Sequence, residues 1–216
     1  MKSFFKECCS DAWLDLIESS KQNVSILKNE VVFRSGEKAK GIFEIVKGKV
    51  KVTANDKLDN EVLLRLAGNN SILGHRGIGG DWKYHVTATA LEDTTLVFIP
   101  RSTFEILAQT NPKFSYKLLT LFAEDLRYSE EKFLHLPVVN RIANAILLNY
   151  RAFGMNQKTK QLNYTLSRQD MANAAITTYE STVRAIAELK NKKIIGINKK
   201  SIIINDLKAL EQFGTK

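Results

Sequence analysis

The rhythm of apolar and polar positions changes twice along the chain. Residues 11–27 carry Trp13, Leu14 and Ile17 at helical spacing and predict a short amphipathic helix. From Val31 to Ile99 the helical period is gone. Short apolar runs take its place: Val31-Val32-Phe33, Ile42 to Val46, Val50 with Val52, Val62-Leu64-Leu66, Val86 to Leu91, and Leu96 to Ile99. Several alternate with polar residues, as half-buried strands do. Gly36, Gly41, Gly48, Gly68, Gly74, Gly77, Gly79 and Gly80 fall mostly between the runs, where turns form. Many short strands with frequent turns predict a β-barrel or β-roll.

Asn111-Pro112 closes that region, and helical periodicity returns. Leu119, Phe122, Leu126, Ser129, Phe133 and Leu136 follow one another at intervals of 3, 4, 3, 4 and 3. That is a heptad seam with one polar member, and it predicts a dimerisation helix over 111–136. A buried helix inside one domain would also be two-sided. Phe114, Leu118 and Leu121 form a second stripe able to pack on the β-region. Pro137 breaks the helix, and a further one over about 138–153 stops at Gly154.

The most informative stretch is 162–205. Ser167-Arg168-Gln169-Asp170 is a capping pattern, so a short helix starts near Arg168 and ends near Ala174 or Ala175. Ile176-Thr177-Thr178 reads as a turn, and Thr177 or Thr178 caps a second helix running to about Asn191. Two short helices joined by a tight turn predict a helix-turn-helix. Thr182, Ile186 and Leu189 form the inward stripe of the second helix; Glu180, Arg184, Ala187 and Asn191 form the opposite one. Glu180 and Arg184 project together from its first turns, where a recognition helix meets base edges. An arginine donates two hydrogen bonds to guanine, and a glutamate accepts from cytosine. The plainer alternative is an intrahelical ion pair on a solvated face. Residues 194–204 then predict a hairpin with Lys199 and Lys200 at its tip, a wing suited to phosphates.

Charge sharpens this picture. The 216 residues carry a net +9, and the excess is local. Residues 1–136 hold 19 cationic against 18 acidic side chains; residues 137–216 hold 13 against 5. A basic C-terminal module on a neutral body predicts a polyanionic partner at that end, with a solvated lysine-rich face as the plainer alternative; together with the helix-turn-helix pattern the partner expected is double-stranded DNA. Cys8 and Cys9 are the only cysteines, a pattern expected of a reducing compartment. No apolar run approaches a membrane span and no secretory leader pattern is present, so a cytoplasmic location without membrane partners is expected. Neither paired carboxylates, nor a phosphate-binding glycine loop, nor metal-ligand spacing, nor a nucleophile elbow is found, so no catalytic or metal residues are assigned and no enzyme is expected.

These segments resemble the CRP/FNR family of bacterial transcription regulators over nearly the whole chain. Ser35-Gly36-Glu37 and Ile42 through Val52 are similar to the opening of that family's cyclic-nucleotide-binding β-roll. Glu131-Lys132 and Asn140-Arg141-Ile142-Ala143 are similar to its dimer helix and hinge. The resemblance implies an α+β fold in three parts: a double-stranded, jelly-roll-like β-roll sensor over 1–110, the dimer helix over 111–136, and a winged helix-turn-helix over 137–216. It implies that Glu180 and Arg184 read bases, with Tyr179 where many members have arginine and Val183 where they have glycine or serine. It places Arg168, Thr178 and Ser181 on phosphates. In the sensor it places Gly74, His75, Arg76, Tyr84, His85 and Ser129 around an effector. The ribose-binding glutamate of nucleotide-binding members is replaced by His75, the phosphate-binding arginine by Tyr84 or His85, and their Thr-Ser pair by Ser129-Glu130. Cyclic AMP is therefore not expected as the effector. Arg76 and Lys83 remain as candidate anion ligands. An iron–sulfur cluster, which needs four thiolates, is not expected either. A haem or gas sensor would have to use His75, His85 or His135.

The expected function is a homodimeric, sequence-specific regulator reading a pseudo-palindrome through residues 178–191, with RNA polymerase a further candidate partner. The alternatives are a small-molecule sensor that binds DNA only with its effector, and a nucleotide-binding module with no DNA role.

Overall fold

The computed structural model describes residues 3–131 and 136–215. The chain divides into two compact units, residues 1–54 with 67–134 and residues 55–66 with 135–216.

In the first unit, α1 (Asp11–Ser20) is followed by β1 (Gln22–Ile26), β2 (Val31–Phe33), β3 (Gly41–Lys47) and β4 (Val50–Asn55). β5 (Glu61–Ala67), nearly all of it in the stretch 55–66 that groups with the second unit, comes next along the chain, and the first unit continues with β6 (Ile72–Leu73), β7 (Thr87–Ala90), β8 (Thr94–Pro100), α2 (Arg101–Thr110) and α3 (Pro112–Glu131). The strands form two four-stranded sheets, ordered β1-β8-β3-β6 and β2-β7-β4-β5. The alternation predicts a β-barrel or β-roll, and this is the jelly-roll-like form of it that the family resemblance implies. Ile42, Ile45, Val50, Leu96 and Ile99 are almost fully buried, the pair Ile42↔Ile99 lying on the opposite face of its sheet from the pair Ile45↔Leu96. Neighbouring strands β3 and β8 approach closely at Gly41, where a Cβ would land 2.1 Å from the Ile99 carbonyl oxygen.

Two boundaries differ from expectation. The first helix stops at Ser20, because Lys21 turns extended (φ −68°, ψ 155°). Residues 22–26, expected to be helical, instead form β1 and pair with β8 from Gln22↔Phe98 to Ile26↔Thr94. Their Val24 and Ile26 sit at the period of a strand, and long-range pairing overrides the local helical reading. The second difference is α2, which begins directly after Pro100 at the end of β8. Phe104 and Leu107 of α2, Phe114 and Leu118 of α3 and the N-terminal Phe4 and Phe5 join Ile42 and Ile99 in one core. Phe5 stacks on Phe114 with ring centroids 5.9 Å apart.

Asn111 starts α3, its Oδ1 accepting from the Phe114 amide at 3.1 Å. The expected seam is split on this helix. Leu119 and Leu126 are exposed, while Phe122 is partly buried against the core. Leu136 lies beyond α3, just before Pro137. The Ser129 side chain, Phe133 and His135 lie outside the described residues.

The second unit contains α4 (Val138–Phe153), α5 (Arg168–Ala175), α6 (Tyr179–Asn191), the antiparallel hairpin β9 (Ile195–Asn198) and β10 (Ser201–Ile204), and α7 (Leu207–Thr215). Pro137 sits at the N-cap of α4, and Gly154 ends it at φ 73°. Ile142, Ala143, Ile146 and Leu147 of α4 give the unit its core, with Met171, Ala172, Ile186, Leu189, Ile202 and Leu210.

Candidate nucleic-acid interface

Ser167 caps α5: its Oγ accepts from the Asp170 amide at 3.0 Å and donates to the Asp170 carboxylate at 2.7 Å. The helix ends in a left-handed residue, Ile176 (φ 49°, ψ 59°). Arg141 of α4 holds this turn by donating from Nη1 to the Ile176 carbonyl at 2.9 Å. Thr178 then caps α6, its Oγ1 accepting from the Ser181 amide at 3.2 Å. Of the two cap candidates, Thr177 and Thr178, the structure selects the second.

α6 has a dry face and a wet one. Thr182, Ala185, Ile186 and Leu189 are buried, and the Thr182 hydroxyl is satisfied by the Thr178 carbonyl at 3.0 Å. Tyr179, Glu180, Val183, Arg184 and Ala187 are exposed. Arg184 leans lightly on Ser181, with Nη2 to Oγ at 3.4 Å, and its guanidinium is otherwise presented outward. Arg168, at the start of α5, is half-buried. Burial lowers its pKa below the ordinary guanidinium value, and the nearby Tyr179 works the other way. The hairpin register pairs Asn198 with Ser201, leaving Lys199 and Lys200 as a two-residue exposed tip. The residues expected at DNA from the sequence, Arg168, Thr178, Tyr179, Glu180, Ser181, Arg184, Lys199 and Lys200, thus all lie in this unit.

The positions assigned to an effector lie in the first unit, and among those whose side chains are described His85 stands apart from Gly74, His75, Arg76 and Tyr84. Gly74 (φ 83°) precedes a 3-10 turn, His75–Gly77, and lies against the Tyr84 ring, whose Cε1 would be 3.0 Å from an added Cβ. Tyr84 is buried, stacks on Phe33 at 4.0 Å, and donates its hydroxyl to the Gly41 carbonyl at 2.9 Å. Burial pushes its phenol up to about 12. His75 is buried too, its Nε2 3.2 Å from Asp125 Oδ2 on α3 and its ring edge-on to Phe122. Arg76 is paired with the same carboxylate. Lys83 lies 3.6 Å from Asp81. His85 is exposed, 3.8 Å from the same Asp81 and apart from the buried group. A surface hollow of about 390 Å³ in this unit is lined by Glu7, Cys8, Pro112, Lys113, Tyr116 and Lys117, none of them an assigned effector position.

The sequence reading missed two residues: Arg141, which clamps the turn, and Asp125, which ties the sensor segment to α3. Asp125 carried a faint signal. It lies four residues after Leu121 and three after Phe122, so it shares the face that these apolar residues turn to the core.

Comparison with known proteins places both units. A cyclic nucleotide-binding domain family matches residues 23–111, and a Crp-like helix-turn-helix domain family matches residues 140–213. The chain belongs to the CRP/FNR family. Among CRP/FNR-type relatives, the electron transport regulator A of Shewanella oneidensis is 29% identical over 198 residues, covering 89% of this chain and 77% of that protein. The global nitrogen regulator of Nostoc sp. is 24% identical over 213 residues, covering 95% and 92%. The solved structure of FixK2 from Bradyrhizobium japonicum shares the fold with a TM-score of 0.78 at 20% identity, over 89% of this chain and 96% of that one. Like these CRP/FNR regulators, the chain is a transcription regulator with a DNA-binding helix-turn-helix.

Proposed function

We propose that the protein acts as a homodimer that reads a pseudo-palindromic DNA site, with one α6 in each major groove. The observation that carries this reading is the outward pair on α6. Glu180 and Arg184 stand one turn apart on the exposed face, directly after the Thr178 cap and opposite the buried Thr182 and Ile186. Arg184 reads a guanine and Glu180 accepts from a cytosine. Arg168, Thr178, Ser181, Lys199 and Lys200 hold the phosphate backbone and set the register without reading sequence. The exposed Leu119 and Leu126 of α3 face the second copy, whose half-site lies about 34 Å away along the duplex.

The effector is not cyclic AMP. The residue after Gly74 is His75, which is buried and turned to Asp125, and Tyr84 is packed against Phe33. Neither offers a permanent cation to a cyclic phosphate.

Selection of duplexes from a random library by the ligand-free protein tests the reading. A palindromic motif is the expected outcome. Arg184→Ala then weakens binding by about 1–3 kcal/mol and relaxes one base pair per half-site. Lys199→Ala weakens all sequences alike and lowers the salt slope by about one. An equal loss on every sequence for Arg184→Ala overturns its base-reading role. Recovery of a motif only after addition of a small molecule would favour an effector-dependent regulator instead.

A further inference from the structure

The exposed face of α6 carries two rows. Glu180 and Arg184 form a charged row. Tyr179 and Val183, also four residues apart and each one position earlier, form an apolar row beside it. Tyr179 is 49% exposed and Val183 43%. The core does not need them, because the inward face is filled by Thr182, Ala185, Ile186 and Leu189. Helix formation does not favour them either: on an exposed face, aromatic and β-branched residues are poorer helix formers than Ala, Glu or Lys. A valine left in water on the second turn is therefore unexplained by folding. In a major groove it has one matching partner. The C5 methyl of thymine is the apolar group that base edges present there.

Resting on the DNA-reading role of α6, we propose that Val183, flanked by Tyr179, recognises a thymine in each half-site through its 5-methyl group, next to the base pair contacted by Arg184. The isopropyl group neither donates nor accepts a hydrogen bond, so it selects for the methyl and not for the polar edge. The charged row fixes one base pair by hydrogen bonds, and the apolar row extends the readout to its neighbour by removing a methyl from water.

The test replaces each thymine of the selected duplex in turn by deoxyuridine, which loses the methyl and keeps its pairing. Wild-type protein should lose roughly fourfold in affinity per methyl removed at one or two positions adjacent to the guanine that Arg184→Ala relaxes. Val183→Ala should abolish that sensitivity and keep the discrimination at the guanine. Tyr179→Phe should leave the sensitivity in place, since the ring and not the hydroxyl flanks the methyl. Specific binding with no uracil-sensitive position, or sensitivity that survives Val183→Ala undiminished, overturns the thymine contact alone. If no duplex is bound specifically under any condition, the reading of α6 falls, and this one with it.

Discussion

Arg76 grips one oxygen of Asp125 with two nitrogens, Nε at 3.0 Å and Nη2 at 2.9 Å. His75 Nε2 lies 3.2 Å from the same oxygen. The segment after Gly74 is thereby fastened to α3 by protein groups alone. Hydrogen bonds to charged partners contribute more than neutral ones, and this pair is only partly exposed. Asp125→Ala should lower stability by about 1–2 kcal/mol, read as the midpoint of urea unfolding. Arg76→Met in that background should add little, because its partner is already gone. Strictly additive losses would show that the two side chains do not act as a pair.

Ile176 occupies the left-handed region at the turn between α5 and α6 and is 49% exposed. A branched L-residue pays about 1–2 kcal/mol there, which glycine avoids. Glycine loses part of that gain to its freer unfolded chain. Ile176→Gly should therefore raise stability by about 0.5–1 kcal/mol, with the Arg141 hydrogen bond to the backbone retained. A lower unfolding midpoint would mean that the isoleucine side chain makes up its own strain.

Local chemistry decided what was legible in the sequence. Ser167, Thr178 and Gly154 act through the backbone within a few residues, so the ends of α4, α5 and α6 fall where the caps place them. The strands were visible because short apolar runs such as those around Ile42, Val50 and Leu96 end at turns, although β3 and β8 bury residues on both faces. β1 was not, since Gln22–Ile26 becomes a strand only through β8, about 70 residues away. The partners of the sensor positions were hidden for a similar reason. Arg76 and Lys83 look free in the sequence, and only the fold brings Asp125 to the first of them. The charged row of α6 was legible, because helical spacing alone sorts Glu180 and Arg184 from Thr182 and Ile186, whereas the exposed Tyr179 and Val183 beside it were not assigned to that face.

Asn149 is completely buried in α4, and among the described residues neither its Nδ2 nor its Oδ1 has a hydrogen-bond partner. An unpaired buried amide costs about 1–3 kcal/mol, while an apolar group of similar shape does not. Asn149→Leu should stabilise the second unit by about 1 kcal/mol or more. The amide hydrogen-exchange rates of α4 offer the direct readout, and they should slow. Faster exchange throughout α4 would show that the amide serves a polar neighbour.

Glu44 of β3 is buried, and its Oε1 accepts from Ser3 Oγ at 2.6 Å and from the Phe4 amide at 2.8 Å. Burial raises its carboxyl above the ordinary value of 4.5, and these two hydrogen bonds only partly oppose the shift. A carboxyl raised on folding holds a proton that the unfolded chain has already released. Stability therefore falls as pH rises through the window between the ordinary value and the raised one, and it is level above that window. Glu44→Gln keeps an acceptor for Ser3 and Phe4 but carries no charge to bury. Below the window the variant should match the wild type. Through the window the variant should become the more stable of the two, and the gap should then hold constant up to neutral pH. Urea midpoints of both proteins across that range provide the measurement. Parallel curves would mean that Glu44 is ionised in the folded protein as readily as in water, with its two hydrogen bonds fully offsetting the burial.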